Sequence, residues 1–428
     1  MNNVNTLILG SGGREHAIAH KISQSKLLNN LYVAPGNSGT SEIAINLDIN
    51  IDNYKEIKNT IITKNIDLLI IGPEDPLVSG LHNQLYDDKD IENLRVIGPK
   101  KEGAQLEGSK FFAKKFMKKY NIPTAAFKSF EKNDFIDAIA YLKNSSPPYV
   151  IKADGLAAGK GVFICNSLEQ AKNAVNDIII KSKFGDAGKK IVIESFLEGI
   201  ELSVFILTDG HSYKLLPSAK DYKRIGENDT GLNTGGMGAI SPVPFLNEHL
   251  MLKIKNKIIE PTLQGLKNEK IEYSGFIFFG LINVQGEPYV IEYNVRLGDP
   301  ETQVILPRIK SDFLQLLIDI TEKNSFKKNK LKINPEATST VILTSGGYPE
   351  NYKKGYQVKG IKEVESALLF HAGLKKENNE YYTNGGRVIA VTGKGETLPQ
   401  ALKVSYSNIK KINFNNSYYR KDIGFDVI

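Results

Sequence analysis

The sequence is poor in the features that mark secreted and membrane proteins. It has a single cysteine, Cys165, so no disulfide can form within the chain, and the neighbouring Phe163 and Ile164 predict a buried thiol rather than a nucleophile. No apolar stretch is long enough to cross a bilayer. The first ten residues combine neither a basic start nor a long apolar segment. We therefore expect a cytoplasmic protein, or one in an equivalent reducing compartment, with no membrane partner.

A strong excess of charge of one sign is also missing. The 428 residues carry 55 basic and 48 acidic side chains, a net charge of +7. Aromatic residues do not alternate with lysines as they would in a base-stacking surface. The mild positive net charge fits an anionic small molecule as well as a nucleic acid. Without a base-stacking surface, we expect no nucleic-acid partner. The hydrophobic content of 41% is typical of soluble proteins, and the length predicts two to four domains.

The most distinctive stretch is Tyr149–Val162, with the sequence YVIKADGLAAGKGV. A short strand ends near Lys152 and leads into a loop with three glycines and a second lysine: Gly155, Gly159, Lys160 and Gly161. Glycines let backbone N–H groups approach an anion closely, and a lysine adds a charge that suits phosphate. The stretch predicts a phosphate-binding loop, and the alternative is a surface turn without a ligand.

Short strands alternate with helical patterns through the first hundred residues. We expect these strands at Thr6–Leu9, Leu31–Val33, Asp67–Ile71 and Arg95–Ile97. The alternation predicts an α/β fold with a parallel sheet and helices on both faces. The loops GSGGREH, APGNSGT and GPEDPL each follow a strand, so they are expected to meet along one edge of the sheet.

The first of these loops leads into a helix, and a helix start favours an anion. Its glycines do not follow the dinucleotide spacing G-x-G-x-x-G, because residue 15 is a glutamate. A small molecule that carries phosphate, bound near Gly12, Gly13 and Arg14, is therefore preferred to NAD. The alternative is a tight turn with no ligand.

Three further segments carry candidate binding residues. Lys110 lies at the start of a helix, Phe111–Tyr120, where it can reach a phosphate or be an ordinary surface lysine. The strand, kink and second strand across Ile191–Val204 are typical of a crossing between two lobes that holds an adenine. The polar, glycine-rich Leu216–Gly238 has little periodicity and predicts a binding loop.

A hairpin is predicted from the strands Gly275–Asn283 and Pro288–Tyr293. Alternate residues of a strand share a face, so Glu292, Asn294 and Arg296 are expected to point the same way. A carboxylate and an amide oxygen suit Mg²⁺ beside nucleotide phosphates, and an arginine can bind a transferred phosphoryl group or a substrate carboxylate. The alternative is the polar outer face of an exposed strand.

The last hundred residues predict a third, smaller α/β domain. Its strands are expected at Thr340–Thr344 and Arg387–Val391, and its helix at Thr397–Ile412. No catalytic cluster is visible in this segment, so it is expected to cover one side of a cleft.

Seven stretches occur in order along the chain: GSGGREHA, APGNSGT, GPEDPL, EGSK, VIKADGLAAGKGV, NTGGMGA and EYNVRLGDPETQ. Together they resemble the glycinamide ribonucleotide synthetase family, also called phosphoribosylamine–glycine ligases, of the ATP-grasp superfamily. The resemblance implies an N-terminal Rossmann-like α/β domain at residues 1–106 and an ATP-grasp domain at 107–330, with a mobile flap lobe at about 123–190. It also implies a small C-terminal α/β domain at residues 331–428.

The activity implied by the resemblance is the ATP-dependent ligation of glycine to 5-phosphoribosylamine. The products would be glycinamide ribonucleotide, ADP and phosphate, formed through a glycyl phosphate in purine biosynthesis. The implied cofactors are ATP and Mg²⁺ or Mn²⁺, and the implied assembly is a monomer or weak dimer.

The resemblance also implies a role for individual residues. The catalytic residues would be Lys152, Asp221 and Arg296. The metal ligands would be Glu292 and Asn294. The residues that bind ATP would be Lys110, Lys152, Gly155, Gly159, Lys160, Gly161, Glu194, Phe196, Leu197 and Glu201. Glycine would be bound by Asp221, Arg224, Asn233 and Gly236. Phosphoribosylamine would be bound by Gly12, Gly13, Arg14 and Glu74.

The chain departs from the family pattern at three positions. Ser195 replaces a glutamate and Leu232 a proline found in many relatives, and Gly280 stands where many other ATP-grasp enzymes have an acidic metal ligand. The last departure leaves the number of bound metals open. Two alternative functions are a related ligase or carboxylase that uses another acid, and a nucleotide-binding regulator without catalysis.

Overall fold

The computed structural model describes residues 3–157, 159–322, 325–327 and 329–428. The N-terminal part forms a five-stranded parallel sheet in the order β3-β2-β1-β4-β5. Its strands are β1 (Val4–Gly10), β2 (Leu28–Pro35), β3 (Ile45–Asn46), β4 (Leu68–Ile71) and β5 (Arg95–Ile97). Its helices are α1 (Gly13–Ile22), α2 (Tyr54–Thr63), α3 (Glu74–Ser79), α4 (Leu81–Tyr86) and α5 (Lys101–Gly108). The parallel sheet predicted from the alternating pattern is confirmed.

A second, antiparallel sheet follows, in the order β6-β9-β7-β8. Its elements are α6 (Lys110–Lys119), β6 (Phe127–Glu131), α7 (Phe135–Lys143), β7 (Tyr149–Ala153), β8 (Val162–Cys165), α8 (Leu168–Val175) and β9 (Lys190–Ser195). Ser109 caps α6, because its Oγ accepts the N–H of Phe112 at 3.1 Å. Strands β6–β9 and helices α7 and α8 enclose an apolar core of their own, which includes Ile151 and the buried Cys165.

The central region supplies six strands and two helices before its hairpin. They are β10 (Ile200–Thr208), β11 (Tyr213–Leu215), β12 (Lys220–Asp221), β13 (Arg224–Gly226), β14 (Thr230–Asn233), β15 (Gly238–Ser241), α9 (Glu248–Ile254) and α10 (Glu260–Asn268). The interpretation of Leu216–Gly238 as a segment without regular structure was therefore wrong. Strands β13 and β14 pair as a hairpin there, and Tyr418 and Arg420 of the C-terminal segment donate hydrogen bonds to the main-chain oxygens of Ile225 and Arg224.

The predicted hairpin is present as β16 (Gly275–Val284) and β17 (Glu287–Asn294). With β10 and β11 it forms an antiparallel sheet in the order β11-β10-β16-β17. Helices α11 (Thr302–Ile305) and α12 (Phe313–Asp319) follow it. One face of β10 packs Leu202 and Val204 into one core, and the other packs Phe205 into a second core. Glu201 and Ser203 therefore lie on the face of Phe205.

The C-terminal segment contains six strands and a helix. They are β18 (Ala337–Thr344), β19 (Gln357–Val358), β20 (Leu368–His371), β21 (Leu374–Glu377), β22 (Glu380–Thr383), β23 (Arg387–Gly395) and α13 (Leu398–Ile409). Its main sheet runs β12-β15-β18-β23-β20, so two strands of the central region complete it. Across the described residues, no helix has both the length and the apolarity needed to cross a membrane.

Candidate active site

A cavity of about 380 Å³ lies where the N-terminal part, the flap lobe, the central sheet and the C-terminal segment meet. It collects ten of the residues singled out in the sequence: Arg14, Glu74, Lys110, Lys152, Gly159, Gly161, Glu194, Glu292, Asn294 and Arg296. These residues are far apart in the chain. They meet here because the ends of several strands and the β7–β8 hairpin converge on the cavity.

Lys152 and Glu194 form the buried centre of one wall. Strands β7 and β9 are paired, and Lys152 Nζ lies 3.0 Å from Glu194 Oε1. Lys114 Nζ lies 2.9 Å from Glu194 Oε2 and donates to Thr124 Oγ1 at 2.7 Å. Burial lowers the pKa of Lys114 to about 8, although the Glu194 carboxylate opposes this. Burial also acts to raise the pKa of Glu194, but Lys152 and Lys114 hold it below its ordinary value. Both cations are therefore held by one carboxylate.

Lys110 is held at the base of the glycine loop. Its Nζ donates to the main-chain oxygen of Gly155 at 3.1 Å. Asp154 in turn accepts the N–H of Phe111 at 2.7 Å and the hydroxyl of Ser109 at 3.0 Å. Burial lowers the pKa of Lys110, an effect that the Glu292 carboxylate partly offsets. The start of α6 thus anchors the loop while Lys110 lines the cavity.

The loop itself is the tip of the β7–β8 hairpin, where Lys152 pairs with Val162. Its lining residues include Leu156, Gly159 and Gly161, whereas Lys160 is exposed. The predicted flap 155–162 includes Ala158, which lies outside the described residues. Gly155 lies against the flap lobe, since a Cβ there would come within 2.8 Å of Ala187 Cα. The hairpin therefore covers one side of the cavity.

Glu292 and Asn294, at the end of β17, line the cavity next to Lys152, whose Nζ donates to the main-chain oxygen of Ile291 at 3.3 Å. The pairing of β16 and β17 shifts between Gly280 and Leu281, so that Gly280 faces Glu292 and Leu281 faces Val290. This bulge at Ile291 re-aims the end of the strand. Gly280 leaves room for Glu292, because a Cβ there would lie 3.1 Å from Glu292 Cγ.

The donor set of this wall fits a hard divalent cation. Asn294 is 7% exposed, and its Nδ2 atom has no hydrogen-bond partner among the described residues. A flip of the carboxamide would put the Oδ1 atom of Asn294 where its Nδ2 atom now lies. No group of three or more acidic, histidine or cysteine side chains suited to a metal exists in the described part of the chain. Two protein ligands are nevertheless sufficient where substrate phosphates supply others, as Mg²⁺ commonly requires.

Arg296 is fixed between two carboxylates. Strand β17 ends at Asn294, so Arg296 lies in the following bend rather than on the strand, contrary to the sequence expectation. Its Nε donates to Glu74 Oε2 at 3.1 Å, and its Nη2 lies 2.8 Å from Glu107 Oε1. Burial acts against ionisation of Glu74, but Arg296 and Arg14 lower its pKa to about 2. The guanidinium is thus preorganised at the edge of the cavity.

Arg14 and Arg387 occupy the end of the cavity beside Asp299. Arg14 Nε donates to Glu15 Oε1 at 2.6 Å, and its Nη1 lies 3.9 Å from Glu74 Oε2. Arg387 Nη2 lies 3.2 Å from Asp299 Oδ2. Burial acts to raise the pKa of Asp299, but Arg387 and Arg14 hold it below its ordinary value.

A second charged cluster lies next to the cavity on the Phe205 face of β10. Lys223 Nζ is 2.7 Å from Glu201 Oε2 and 3.9 Å from Asp221 Oδ2. Burial opposes protonation of Lys223, but Asp221, Glu201 and Glu292 raise its pKa well above the ordinary value. Burial and the Asp221 charge raise the pKa of Glu301 to about 8. The cluster therefore adjoins the wall that carries Glu292.

The other sequence candidates are not among the residues that line the cavity. They are Gly12, Gly13, Gly155, Lys160, Phe196, Leu197, Glu201, Asp221, Arg224, Asn233 and Gly236. The N–H of Gly12 donates to Glu15 Oε2 at 2.7 Å. Phe196 is 42% exposed, and Arg224 Nη1 donates to the main-chain oxygen of Gly231 at 2.8 Å.

Sequence reasoning missed four charged residues that line the cavity. Glu107 lies within the EGSK stretch, whose pattern predicts a helix start but gives this side chain no role. Lys114 follows Lys110 by four residues, and this helical spacing places both on one face of α6. Asp299 lies in the stretch RLGDPE, where the sequence pattern assigns it no role. Arg387 had no signal beyond the neighbouring Gly385 and Gly386.

Three family models match consecutive parts of the chain. Their descriptions are Phosphoribosylglycinamide synthetase, N domain, for residues 4–107; ATP-grasp (A) domain, for residues 108–302; and C domain, for residues 338–426. A curated relative from Clostridium acetobutylicum, described as phosphoribosylamine–glycine ligase, is 44% identical over 418 residues, which are 98% of this chain and 99% of the relative. A relative of the same description from Fusobacterium nucleatum is 44% identical over 422 residues, or 98% of this chain and 97% of that one.

Solved structures extend the comparison. The crystal structure of phosphoribosylamine–glycine ligase from Thermotoga maritima has a TM-score of 0.85 at 35% identity, covering 98% of this chain and 100% of that one. The biotin carboxylase domain of Hydrogenobacter thermophilus 2-oxoglutarate carboxylase was solved with MgADP. It has a TM-score of 0.73 at 16% identity, and the match covers 98% of this chain and 92% of that one. At this identity the second likeness concerns the fold alone.

Proposed function

The chain belongs to the phosphoribosylglycinamide synthetase family, and we propose that its large cavity is where glycine is joined to 5-phosphoribosylamine. It is an ADP-forming ligase of purine biosynthesis with an ATP-grasp fold, as the resemblance implied, and family, fold class and activity are confirmed. The assignment of residues to substrates below is our proposal.

The reaction needs activation because a carboxylate is a poor electrophile. A carboxylate oxygen of glycine attacks the γ-phosphorus of ATP, the bond to the bridging oxygen breaks, and ADP leaves. The amine nitrogen of phosphoribosylamine then attacks the glycyl carbonyl carbon, the carbon–oxygen bond to phosphate breaks, and the nitrogen loses a proton. The site must spread the charge of the transferred group over cations and exclude water from the acyl phosphate.

The nucleotide phosphates are assigned to the wall made by the flap lobe. Lys110 and Lys152 supply two cations there, and Glu194 holds Lys152 in place at 3.0 Å. The loop with Gly155, Gly159, Lys160 and Gly161 would close over the phosphates, because a lid must admit and then shield the nucleotide. Phe196, Leu197 and Glu201, at the crossing between β9 and β10, would contact the adenine and ribose.

The metal site is assigned to Glu292 and Asn294, and ATP-grasp enzymes in general use divalent cations with ATP. The Nδ2 atom of Asn294 has no hydrogen-bond partner among the described residues. A flip of this carboxamide would offer its oxygen, which supports Mg²⁺ or Mn²⁺ in this chain, since both prefer oxygen ligands. When bound, the metal supplies charge neutralisation of the phosphates. Arg296, held by Glu74 and Glu107, would stabilise the phosphoryl group during transfer.

The acceptor substrates are assigned to the remaining walls. Asp221, Arg224, Asn233 and Gly236 would bind glycine, with Asp221 also acting in catalysis through its position beside Lys223. Gly12, Gly13, Arg14 and Glu74 would bind phosphoribosylamine at the C-terminal edge of the parallel sheet. We further propose a cytoplasmic protein that is a monomer or weak dimer, which light scattering after gel filtration would test.

The observation that carries the proposal is the joint lining of one cavity by Lys152 and Glu292. The test supplies the purified protein with ATP, Mg²⁺, glycine and phosphoribosylamine. We expect ADP release that depends on both glycine and phosphoribosylamine, with glycinamide ribonucleotide formed in equal amount. ADP release with formate or bicarbonate in place of glycine would favour a related ligase or carboxylase, and nucleotide binding without turnover would favour a regulator.

A further inference from the structure

Lys114 is a charged side chain buried on the inner face of helix α6. It is 2% exposed, whereas Lys115, Lys118 and Lys119 of the same helix are exposed. Burial of a cation costs free energy unless a partner compensates it. Lys114 lines the cavity, and the residue assignment above gives it no role. A cation kept at this cost on the wall of the nucleotide cavity points to a function there.

The ammonium group of Lys114 joins three parts of the cavity wall. Its Nζ lies 2.9 Å from Glu194 Oε2 on β9 and donates to Thr124 Oγ1 at 2.7 Å. The Thr124 hydroxyl in turn donates to the main-chain oxygen of Val290 on β17 at 2.7 Å. Because a hydroxyl has only one proton to give, Thr124 accepts from Lys114. The Nζ atom is therefore held between the flap lobe and the strand that carries Glu292.

Lys114, Glu194 and Lys152 form a buried triad with two positive charges and one negative charge. The carboxylate of Glu194 is shared, with Oε1 3.0 Å from Lys152 Nζ and Oε2 2.9 Å from Lys114 Nζ. All three residues line the cavity, so an anion that enters it meets a triad with net positive charge. Without the charge of Lys114, Glu194 would neutralise Lys152 and the triad would carry no net charge.

The charge of Lys114 depends on pH in an accessible range. Burial lowers the pKa of Lys114 to about 8; of the charged groups around it, Glu194 raises this pKa and Lys152 lowers it. The triad is therefore expected to be positive below pH 8 and to lose one charge as the pH rises above it. Other charged groups line the same cavity from α5, α6 and β17, and substitutions of Lys114 leave them in place: Glu107, Lys110 and Glu292.

We propose that Lys114 is a positioning residue for the nucleotide: its charge offsets that of Glu194, so that the charge of Lys152 stays available to the phosphates of ATP. The inference rests on the proposed function, which assigns Lys152 to these phosphates. Glu194 holds both ammonium groups in place. Lys114 prevents that carboxylate from cancelling the attraction of the wall for an anion.

The test measures how tightly a non-hydrolysable ATP analogue binds, with Mg²⁺ present, to wild-type protein, Lys114→Gln and Lys114→Met. Calorimetry gives the Kd at pH 7 and at pH 9. At pH 7 both variants should bind the analogue at least about 10-fold more weakly, because one charge near the phosphates is lost in a shielded site. Gln can still donate a hydrogen bond to Glu194 and Met cannot, so equal losses would identify the charge as the cause.

The pH profile separates this role from a purely structural one. The ratio of wild-type affinity to Lys114→Gln affinity should fall about 5-fold from pH 7 to pH 9. The reason is that a pKa of about 8 leaves roughly a tenth of Lys114 charged at pH 9. Titration of Lys110 affects both proteins and cancels in this ratio. The two proteins are therefore expected to converge at high pH.

A matched control lies on the same helix. Lys118→Met removes an exposed lysine of α6 and should leave the affinity unchanged at both pH values. The thermal midpoint reports whether each variant is folded. If Lys114→Met does not fold, Lys114→Gln decides the question, because it keeps a polar group between Glu194 and Thr124.

Wild-type affinity in Lys114→Gln would overturn the proposal, since it would mean that Lys114 serves only as a hydrogen-bond donor to Glu194. An affinity ratio that stays the same from pH 7 to pH 9, or a wild-type affinity that does not change over this range, would overturn it as well. A wild-type protein that binds the analogue but releases no ADP with glycine and phosphoribosylamine would instead contradict the proposed function, because the readout here is nucleotide binding.

Discussion

The Nζ atom of Lys152 lies 3.0 Å from Glu194 Oε1 and 3.3 Å from the main-chain oxygen of Ile291, the residue that precedes Glu292. One side chain therefore joins the flap lobe to the strand that carries the proposed metal ligands. Because Lys152 and Glu292 line the same cavity, a single nucleotide can contact both.

Replacement of Glu292 isolates the proposed metal site. Glu292→Gln should keep the fold and nucleotide binding but lower kcat by at least about 100-fold, because electrostatic stabilisation at the transferred phosphate is lost. Turnover is measured as ADP release at saturating substrates, and nucleotide binding by calorimetry.

Glu287→Gln is the matched control on the same strand. Glu287 pairs with Lys253 at 2.6 Å and Lys257 at 2.7 Å, away from the cavity, and its loss should leave kcat within about 2-fold because surface ion pairs contribute little. Near-normal turnover of Glu292→Gln would show that the metal site has been misplaced.

Glu194 should be essential to the stability of the flap wall. Glu194→Gln leaves Lys114 and Lys152 buried without their counter-charge, which is expected to lower the free energy of unfolding by about 3 kcal/mol. Adding Lys114→Met should recover part of this loss, since one of the two stranded cations is removed. Urea unfolding of the two single variants and the double variant gives the coupling energy. Strictly additive losses would contradict a shared buried network.

The glycine loop can be probed with two alanines. Gly155→Ala should raise KM for ATP by about 10-fold, which corresponds to about 1.4 kcal/mol. The added Cβ would come within 2.8 Å of the Ala187 backbone, so the loop must shift. Gly159 has φ +74 and open space around it, so Gly159→Ala should strain the loop by about 1 kcal/mol with a smaller effect on KM. Equal KM values in the two variants would exclude the close contact at Gly155.

The loop should also become more protected when ATP binds. Hydrogen exchange at residues 155–157 and 159–162 is expected to slow on addition of a non-hydrolysable ATP analogue, because lids over phosphates close on their ligand. Peptides from α13, which lies in the C-terminal segment, serve as the internal reference. Identical exchange with and without the analogue would count against a flap.

The Glu74 carboxylate should make the free energy of unfolding depend on pH. Its pKa is lowered to about 2 from an ordinary 4.5, so its contribution is fully present above pH 4.5 and is lost as the pH falls towards 2. The stability difference between wild type and Glu74→Gln should shrink by about 1 kcal/mol between pH 5 and 3.5. Urea unfolding at these pH values measures it, and a difference that grows with acidity would refute the ion pair with Arg296.

Much of the fold and part of the site could be predicted from the sequence. Strands such as β5, Arg95–Ile97, were visible because buried parallel strands appear as short apolar runs. Glu292 and Asn294 share the cavity because alternate strand residues share a face. Both rules depend only on residues close together in the chain.

Long-range pairing could not be predicted in this way. Strands β12 and β15 join the C-terminal sheet through pairs such as Ala239 with Thr340, and local periodicity says nothing about such partners. Arg420 illustrates the same limit, because it is wholly buried and binds Asp229 at 2.6 Å and Asp422 at 2.8 Å. The contact with Asp229 ties the C-terminal segment to the turn of the β13–β14 hairpin, where the sequence suggested an irregular loop.

The most direct test of the central claim is a crystal structure with a non-hydrolysable ATP analogue, Mg²⁺ and glycine. We expect the triphosphate to lie between Lys110 and Lys152 on one side and a cation bound by Glu292 and Asn294 on the other, with the glycine carboxylate against the γ-phosphate near Arg296. A nucleotide bound in a different cleft, or one that contacts Lys152 while Glu292 and Asn294 contact neither metal nor phosphate, would contradict the account.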